Sequence, residues 1–409
     1  MKIEYYGERR AIMRIKTILK TKNGELKQGN NIDVLRQIEN NSIDSCISDF
    51  PYDLKFMGRK WDNTGDFYNW CYERAKPLYR VMKAGGYVLI FGHPKTNHRM
   101  KCAFEDAGFQ IVEEIDWIYG SGFPKNQDIS KLFDKKAGVK RIDKDIPVTN
   151  LAKQWNGWKT SGLKPAKEII TVFQKPLEGT YCDNIEKWNC GAMNIDACRI
   201  GINEIKTNGV RNGDGISLGW SNYKSKKDYE GDTHIGRFPA NIILDDVMGK
   251  ILDEQSGISK STNNIRHNKQ SIYAESNTRK YGKYNDCDSC GFSDEGGASR
   301  YFLSVNFEEE DFAPFYYCSK PTKKEKGTDN KHVTVKPKKL IKWLIKLVTP
   351  KDGYTIDVTA GSGTHAVAVE ELNKEEGYNL KWLDIELLNT EKEPYCDIAK
   401  KRIENVINN

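Results

Sequence analysis

The chain has 409 residues, 38% hydrophobic and 11% aromatic, with 64 Lys and Arg against 57 Asp and Glu, a formal net charge of +7. That length has room for two or three domains with cores of their own, and the small charge excess permits a polyanionic partner without requiring one. No run approaches the roughly 20 apolar residues of a membrane span, the first twenty residues lack a signal-peptide stretch, and ten irregularly placed cysteines do not read as a disulfide framework, so a cytoplasmic protein with reduced thiols and no membrane partner is expected.

The alternating run SIDSCIS predicts a strand over 43–49 that stops at the sequence SDFPYD. Residues 66–83 put Phe67, Trp70, Cys71, Leu78, Tyr79 and Met82 at helical spacing, with Gly85 and Gly86 following as a stop. A buried strand is predicted over 87–94, then a helix ending at Gly108, then a strand from 110 that runs into a Gly/Pro loop. Strand and helix alternate, which predicts a mainly parallel sheet. Over 125–330 the pattern weakens: Trp155 and Trp158 are interleaved with lysines, 256–291 is polar, Asn-rich and basic and reads as loop, and 320–332 is a charged connector. Periodicity returns with Leu340, Ile341, Leu344, Ile345 and Val348 on one helical face and a strand over 354–358. Tyr395, Ile398, Ala399, Ile403 and Val406 then line a terminal helix.

The strand at 354–358 leads into TAGSGTHAVAVEELNK, where Gly361, Gly363 and Ala366 fit a G-x-G-x-x-A pattern. Alone that pattern is weak, and a plain Gly-rich turn would explain it. Here a strand precedes it, a helix follows, and Asp384 and Glu386 come about 20 residues later, where a ribose-binding carboxylate is expected. No Gly-Lys-Ser/Thr follows, so the loop is not a phosphate-cradling P-loop. Too little chain remains after Gly363 to complete a doubly wound sheet, so the N-terminal half must supply the missing strands. One domain is therefore expected from residues 1–124 and 331–409, with 125–330 inserted between them. SDFPYD, at a strand's C-terminal end, is then expected on the same rim as the glycine loop, where open α/β sheets bind ligands.

This constellation resembles the amino-methylating DNA methyltransferases, in the β arrangement where the catalytic motif precedes the cofactor motif. The family's Asp-Pro-Pro-Tyr stands here as DFPY (49–52), its H-x-T-x-K-P as HVTVKP (332–337) and its D-P-F-x-G-S-G-T as DVTAGSGT (357–364). GSGFPKNQDISK, GRFPANIILD and GASRYF look like phage and prophage members. The similarity runs from residue 28 through nearly the whole chain and is weakest over 255–285. It implies a Rossmann-like α/β methyltransferase fold in permuted motif order, with 125–330 as the target-recognition region. It also implies that Asp49 accepts one hydrogen of the amine of a flipped base and the Phe50 carbonyl the other, while Pro51 stiffens the turn and Tyr52 stacks on the base. The implied methyl donor is S-adenosylmethionine, with Asp357, Thr359, Gly361, Ser362, Gly363 and Thr364 in its segment. Glu386 would take its ribose, and Thr334 and Lys336 would complete the pocket. Two positions depart from the pattern: Phe50 stands where the family usually has proline, and Val358 and Thr359 replace a proline and a phenylalanine. Family members with Asp at the motif's first position mostly methylate adenine, so adenine in double-stranded DNA is the expected target and cytosine N4 the alternative.

Arg266, Lys269, Arg279, Lys280 and Lys283, with Tyr273 and Tyr281 among them, are expected on a DNA-facing surface, although singly each reads as a solvated side chain. Cys287 and Cys290 form a C-x-x-C with no second pair at matching spacing, so no metal is expected. The six histidines are scattered, and His93 and His332, near motif segments, read as packing or hydrogen-bonding residues. An RNA methyltransferase shares the catalytic motif, and an inactive DNA-binding relative would keep the fold. An NAD-dependent oxidoreductase would leave DFPY and HVTVKP unexplained. A homodimer and a cognate restriction enzyme are partners the resemblance allows.

Overall fold

The computed structural model describes residues 14–55, 58–120, 122, 124, 126–206, 233–260, 266–267, 288–289, 295–305, 335–390 and 393–408. A hairpin of β1 (Lys16–Lys20) and β2 (Gly24–Gln28) precedes α1 (Asn31–Leu35), whose N-cap Asn30 accepts from the Ile32 amide at 3.0 Å. Next come β3 (Ile43–Asp49), α2 (Phe67–Val81), β4 (Met82–Gly92), α3 (Asn97–Asp106) and β5 (Gln110–Ile118). Helix α2 buries Phe67, Cys71, Ala75 and Leu78, a single stripe at helical spacing, and Asp66 caps its first turn. Residues Ile118–Lys167 cluster as a second compact unit holding α4 (Ile129–Lys136) and α5 (Asn150–Gln154).

The larger unit resumes with β6 (Lys167–Gln174) and α6 (Tyr181–Trp188). Strands β7 (Ile200–Lys206) and β8 (Thr233–Arg237) pair with each other, and β9 (Ile242–Leu244) precedes α7 (Asp246–Ser256). Two-residue ladders join β10 (Ser259–Lys260) to β13 (Glu295–Gly296) and β11 (Arg266–His267) to β12 (Asp288–Ser289). The chain then supplies β14 (Leu303–Ser304), α8 (Lys338–Val348), β15 (Tyr354–Asp357), α9 (Thr364–Glu375), β16 (Lys381–Glu386) and α10 (Tyr395–Asn408). Among the described residues no helix is long and apolar enough to cross a membrane.

One ten-stranded sheet organises the larger unit, in the order β1-β2-β16-β15-β3-β4-β6-β5-β9-β14. From β2 to β4 the pairs are all parallel, and β15 and β16, from the end of the chain, lie between β2 and β3, from its beginning. The doubly wound α/β sheet is thus completed by both ends of the sequence. Two expectations change. Helix α2 does not end at the Gly pair: it stops at Val81 and β4 starts at Met82, so Gly85 and Gly86 fall inside an eleven-residue strand. The stretch 125–330 is not wholly inserted between the two parts of the sheet, because β6, β9 and β14 join it. Strand β6 carries the apolar run IITVF, buried throughout and flanked by lysines and prolines, and pairs antiparallel to β4.

A chain of buried polar groups pins β3, β15 and α9. Ser45 Oγ lies 2.7 Å from Thr349 Oγ1 and donates to Thr355 Oγ1 at 2.9 Å, which lies 3.0 Å from His365 Nε2. His365 Nδ1 meets Asp384 Oδ1 at 2.6 Å, and Asp384 Oδ2 accepts from the Ala366 amide at 3.2 Å. Burial alone would lower the His365 pKa, but the Asp384 charge raises it above its usual value. Of the acidic pair Asp384 and Glu386, the first therefore belongs to the core, and only the second sits at the strand's end.

Candidate functional site

Because β3, β15 and β16 are parallel, their C-terminal residues Asp49, Asp357 and Glu386 reach the same rim of the sheet. Two hydroxyls tie the rim together. Ser48 Oγ donates to Asp357 Oδ1 at 2.5 Å, accepts from the Val358 amide at 3.0 Å and lies 3.0 Å from Thr359 Oγ1. Thr359 Oγ1 in turn donates to the Asp49 carbonyl at 3.0 Å. Thr359 is one of the positions that depart from the family pattern, and its hydroxyl is what reaches the first motif.

At that motif, Asp49 Oδ2 accepts from Lys336 Nζ at 2.6 Å, and Lys336 also faces Glu168 Oε2 at 3.3 Å. Tyr52 donates its phenol to Glu168 Oε2 at 2.8 Å, and Lys336 Nζ lies 5.5 Å from the centre of the Tyr52 ring. Asp49 Oδ1 is buried and, among the described residues, has no hydrogen-bond partner. A buried carboxylate oxygen without a donor is costly, so the site holds an acceptor ready for one. Burial would lower the Lys336 pKa, but the charges of Asp49 and Glu168 hold it above the ordinary lysine value. Burial, with the same two carboxylates nearby, raises the Tyr52 phenol well above its ordinary value, so it stays a donor. The Phe50 ring turns away into the core, edge-on to Trp70 at 5.2 Å and 6.0 Å from Phe104. Its bulk is thus absorbed between α2 and α3, where an edge-to-face pair adds about 1 kcal/mol. After Pro51 and Tyr52 the chain turns sharply at Asp53 (φ 55°), whose amide bonds Asp62 Oδ1 at 2.9 Å, and Thr96 Oγ1 holds the Tyr52 carbonyl at 2.9 Å.

The glycine loop runs from β15 into α9 with Gly361 and Gly363 both at positive φ (53° and 75°). A Cβ at Gly363 would come within 2.8 Å of Ala399 Cβ on α10, so this glycine serves helix packing as well as the turn. Ser362 and Thr364 are buried, and Arg402 of α10 donates to both hydroxyls, at 2.8 and 2.9 Å. Glu386 Oε2 accepts from the Gly361 amide at 2.7 Å and Oε1 from the Leu388 amide at 2.8 Å. Burial pushes its carboxyl up to about 7, against the pull of those two amides. Burial and the Asp384 charge likewise raise Asp357 above the usual carboxylate range. Asn31 donates to the Val358 carbonyl at 2.9 Å while its own Oδ1 is buried and, among the described residues, unpartnered.

The family model described as DNA methylase matches residues 43–401. The chain belongs to the DNA methylase family. It is 26% identical over 201 residues to Type II methyltransferase M.HindIII of Haemophilus influenzae, covering 39% of this chain and 61% of that one. It is 32% identical over 112 residues to Type II methyltransferase M.HpaI of Haemophilus parainfluenzae, covering 26% and 35%. These matches span less than two thirds of either relative. Among solved structures, it is similar to PvuII DNA methyltransferase (cytosine-N4-specific), with a TM-score of 0.45, 14% identity and 95% of each chain covered. It is also similar to the M1.HpyAVI–SAM complex, with a TM-score of 0.39, 13% identity and 93% and 98% covered.

The family's methyl donor is S-adenosylmethionine, and this rim fits it. Gly361 gives a side-chain-free approach, Glu386 keeps spare acceptor capacity beside it, and the unpartnered Asn31 Oδ1 and Asp49 Oδ1 offer buried acceptors. Lys336, expected in the donor's pocket, has Asp49 and Glu168 as its ion-pair partners. Thr334, Lys269, Arg279, Lys280, Lys283, Tyr273, Tyr281, Cys287, Cys290 and His332 lie outside the described residues, and Arg266 falls in β11. His93 is a hydrogen-bonding residue, its Nδ1 accepting from the Lys95 amide at 3.2 Å.

Glu168, Ser48 and Arg402 escaped the reading of the sequence. The one local signal for Glu168 is a lone acid heading a mostly apolar run. It reaches the rim because β6 is antiparallel to β4, with Gly92 opposite Ile169, so β6 begins where the parallel strands end. Glu168 is a positioning residue for Tyr52 and Lys336. Glu168→Ala should lower methyl-transfer turnover by roughly tenfold, on the order of a lost buried charge-assisted hydrogen bond. Glu168→Gln, which still accepts from Tyr52, should recover part of that loss in the same assay. Equal rates for both variants and the parent would leave Glu168 without this role.

Proposed function

We propose that this protein transfers a methyl group from S-adenosylmethionine to the exocyclic amine of adenine in double-stranded DNA. The observation that carries the reading is the buried, unpartnered Asp49 Oδ1, beside Tyr52 and tied through Thr359 to the glycine loop. An aromatic amine is a weak nucleophile because its lone pair is delocalised into the ring, and acceptors for its hydrogens make that pair available. The bound donor supplies an electrophilic methyl carried on a sulfonium. Asp49 Oδ1 accepts one amine hydrogen, and the Phe50 carbonyl takes the second. Tyr52 stacks on the base once it has left the duplex, held at its phenol by Glu168.

Forming the carbon–nitrogen bond breaks the methyl's bond to sulfur, so the positive charge passes from the sulfur, left as a neutral thioether, to the nitrogen. Asp49, Glu168 and Lys336 together carry one net negative charge, which stabilises the cationic nitrogen, and its surplus proton leaves along the hydrogen bond to Asp49 Oδ1. Asp357, Thr359, Gly361, Ser362, Gly363 and Thr364 shape the donor site, and Glu386 takes the ribose. The relatives named Type II methyltransferases support a place in a restriction–modification pair. Within 125–330, target recognition falls to the parts that do not build the sheet.

Asp49→Ala should reduce methyl transfer by at least about 100-fold, with DNA affinity changed little because phosphate contacts dominate it. Digestion of methylated duplex to nucleosides and mass spectrometry should find methylated adenine. Methylated cytosine alone would replace adenine as the target and leave the transfer reaction standing. Donor binding should also follow the state of Glu386. Ribose hydroxyls are donors and prefer the ionised carboxylate, so affinity should rise with pH through about 7. Below that it should fall approaching tenfold per pH unit. Calorimetry across pH 5.5–8.5 should show this dependence in the parent and its loss in Glu386→Gln.

A further inference from the structure

One compact unit carries as much net charge as the whole chain. The compact unit Ile118–Lys167 holds ten Lys and one Arg against four Asp and no Glu, a net +7, equal to the charge of the whole 409-residue chain. The rest of the protein is therefore neutral overall. A unit of about 50 residues has a radius of gyration of about 10 Å, comparable to the Debye length at physiological salt. Its lysines therefore repel one another at a cost to the fold, unlike charges dispersed over a large surface.

The acids in this unit face inward or serve local turns. Asp134 is buried and accepts from Arg141 Nε at 2.6 Å, from the Val148 and Thr149 amides at 3.1 and 2.9 Å, and from Thr149 Oγ1 at 2.8 Å. Arg141, the one arginine, is drawn inward by this and also reaches Ser130 at 2.5 Å. Asp128 caps α4 through the Lys131 amide at 3.0 Å and pairs with Lys159. Asp143 accepts from the Asp145 amide at 3.0 Å, and Asp145 faces Lys131 at 3.5 Å. Lys135, Lys136, Lys140, Lys144 and Lys153 are exposed, and among the described residues none has a carboxylate within ion-pair distance. Large apolar side chains, among them Ile142, Trp158 and Leu163, are exposed on the same unit. Water alone solvates lysines adequately, but it does not account for one small unit that exposes both lysines without acid partners and large apolar groups.

We infer that the unit Ile118–Lys167 is a clamp for the sugar-phosphate backbone of duplex DNA, in addition to any residues that read the target sequence. This rests on the reading of the protein as a DNA methyltransferase. The lysines would neutralise phosphates and release counterions, while the exposed apolar side chains cover sugar edges. Such contacts carry no sequence information but set affinity and its salt dependence.

The test compares two fourfold variants of the full chain. One replaces Lys135, Lys136, Lys140 and Lys153 with Gln. The control replaces four exposed lysines of the larger unit, Lys22, Lys339, Lys374 and Lys381, with Gln. Binding to a 30-base-pair duplex of arbitrary sequence is measured from low to physiological salt, with S-adenosylmethionine binding as the check on folding. The first variant should lose roughly 100-fold in affinity at low salt, and its slope of log affinity against log salt should flatten by about 2–4, close to one per lost contact. The control should change less than about threefold, and both should bind donor normally. Equal losses in the two variants, an unchanged slope in the first, or a loss confined to duplex RNA would overturn the inference. A parent protein that binds duplex DNA but methylates none would count against the enzymatic reading and leave the clamp standing.

Discussion

The site depends on one short connection: the Ser48 and Thr359 hydroxyls between the ends of β3 and β15. Ser48 reaches Asp357 across 309 positions of sequence, and Thr359 returns the contact to the Asp49 carbonyl. The connection joins the loop that follows Asp49 to the loop that carries Gly361 and Gly363. Parallel pairing brings the strand ends to the same rim, but pairing alone leaves their loops free. The hydroxyls fix the loops to each other within hydrogen-bond length, and that is the scale on which a transferred group must be aligned.

Charge placement follows from the same geometry. Lys336 is almost fully buried, and such an ion is tolerated only with close counter-charges. It has two, Asp49 and Glu168, and the cluster remains one negative charge in excess. A pair built purely for stability would have both oxygens of Asp49 satisfied. Here one is committed to Lys336 and the other has no partner among the described residues, which suits an acceptor fixed in place. The neighbouring Asp357 differs: Ser48 Oγ and the Thr359 amide both bond its Oδ1, so it holds the loop.

Much of the fold was legible because its signals were local. Helix α8 spans the predicted apolar stripe from Leu340 to Val348, and β3 and β15 coincide with their short apolar runs to within a residue. The meeting of the two α/β stretches was legible for a different reason, since strand and helix alternate strongly before residue 125 and after 331 and weakly between. What escaped was non-local. Strand β6 was hidden within a stretch of weak pattern, and its Glu168 reaches the rim only through antiparallel pairing with β4. The partners of Lys336 depend on how two loops approach, which spacing does not encode. Gly363 was expected in the donor's segment, and the packing of Ala399 on α10 against it is a second, non-local reason for a glycine there.

The central claim is that the two motifs form one catalytic unit through the Ser48–Thr359 connection. A double-mutant cycle on single-turnover methyl transfer, using Ser48→Ala, Thr359→Val and the combined variant, tests it most directly. The two hydroxyls belong to one connection, so the combined variant should be about as slow as the slower single one, with a coupling energy of at least about 1 kcal/mol. Losses that simply multiply, with no coupling between the two positions, would contradict the claim.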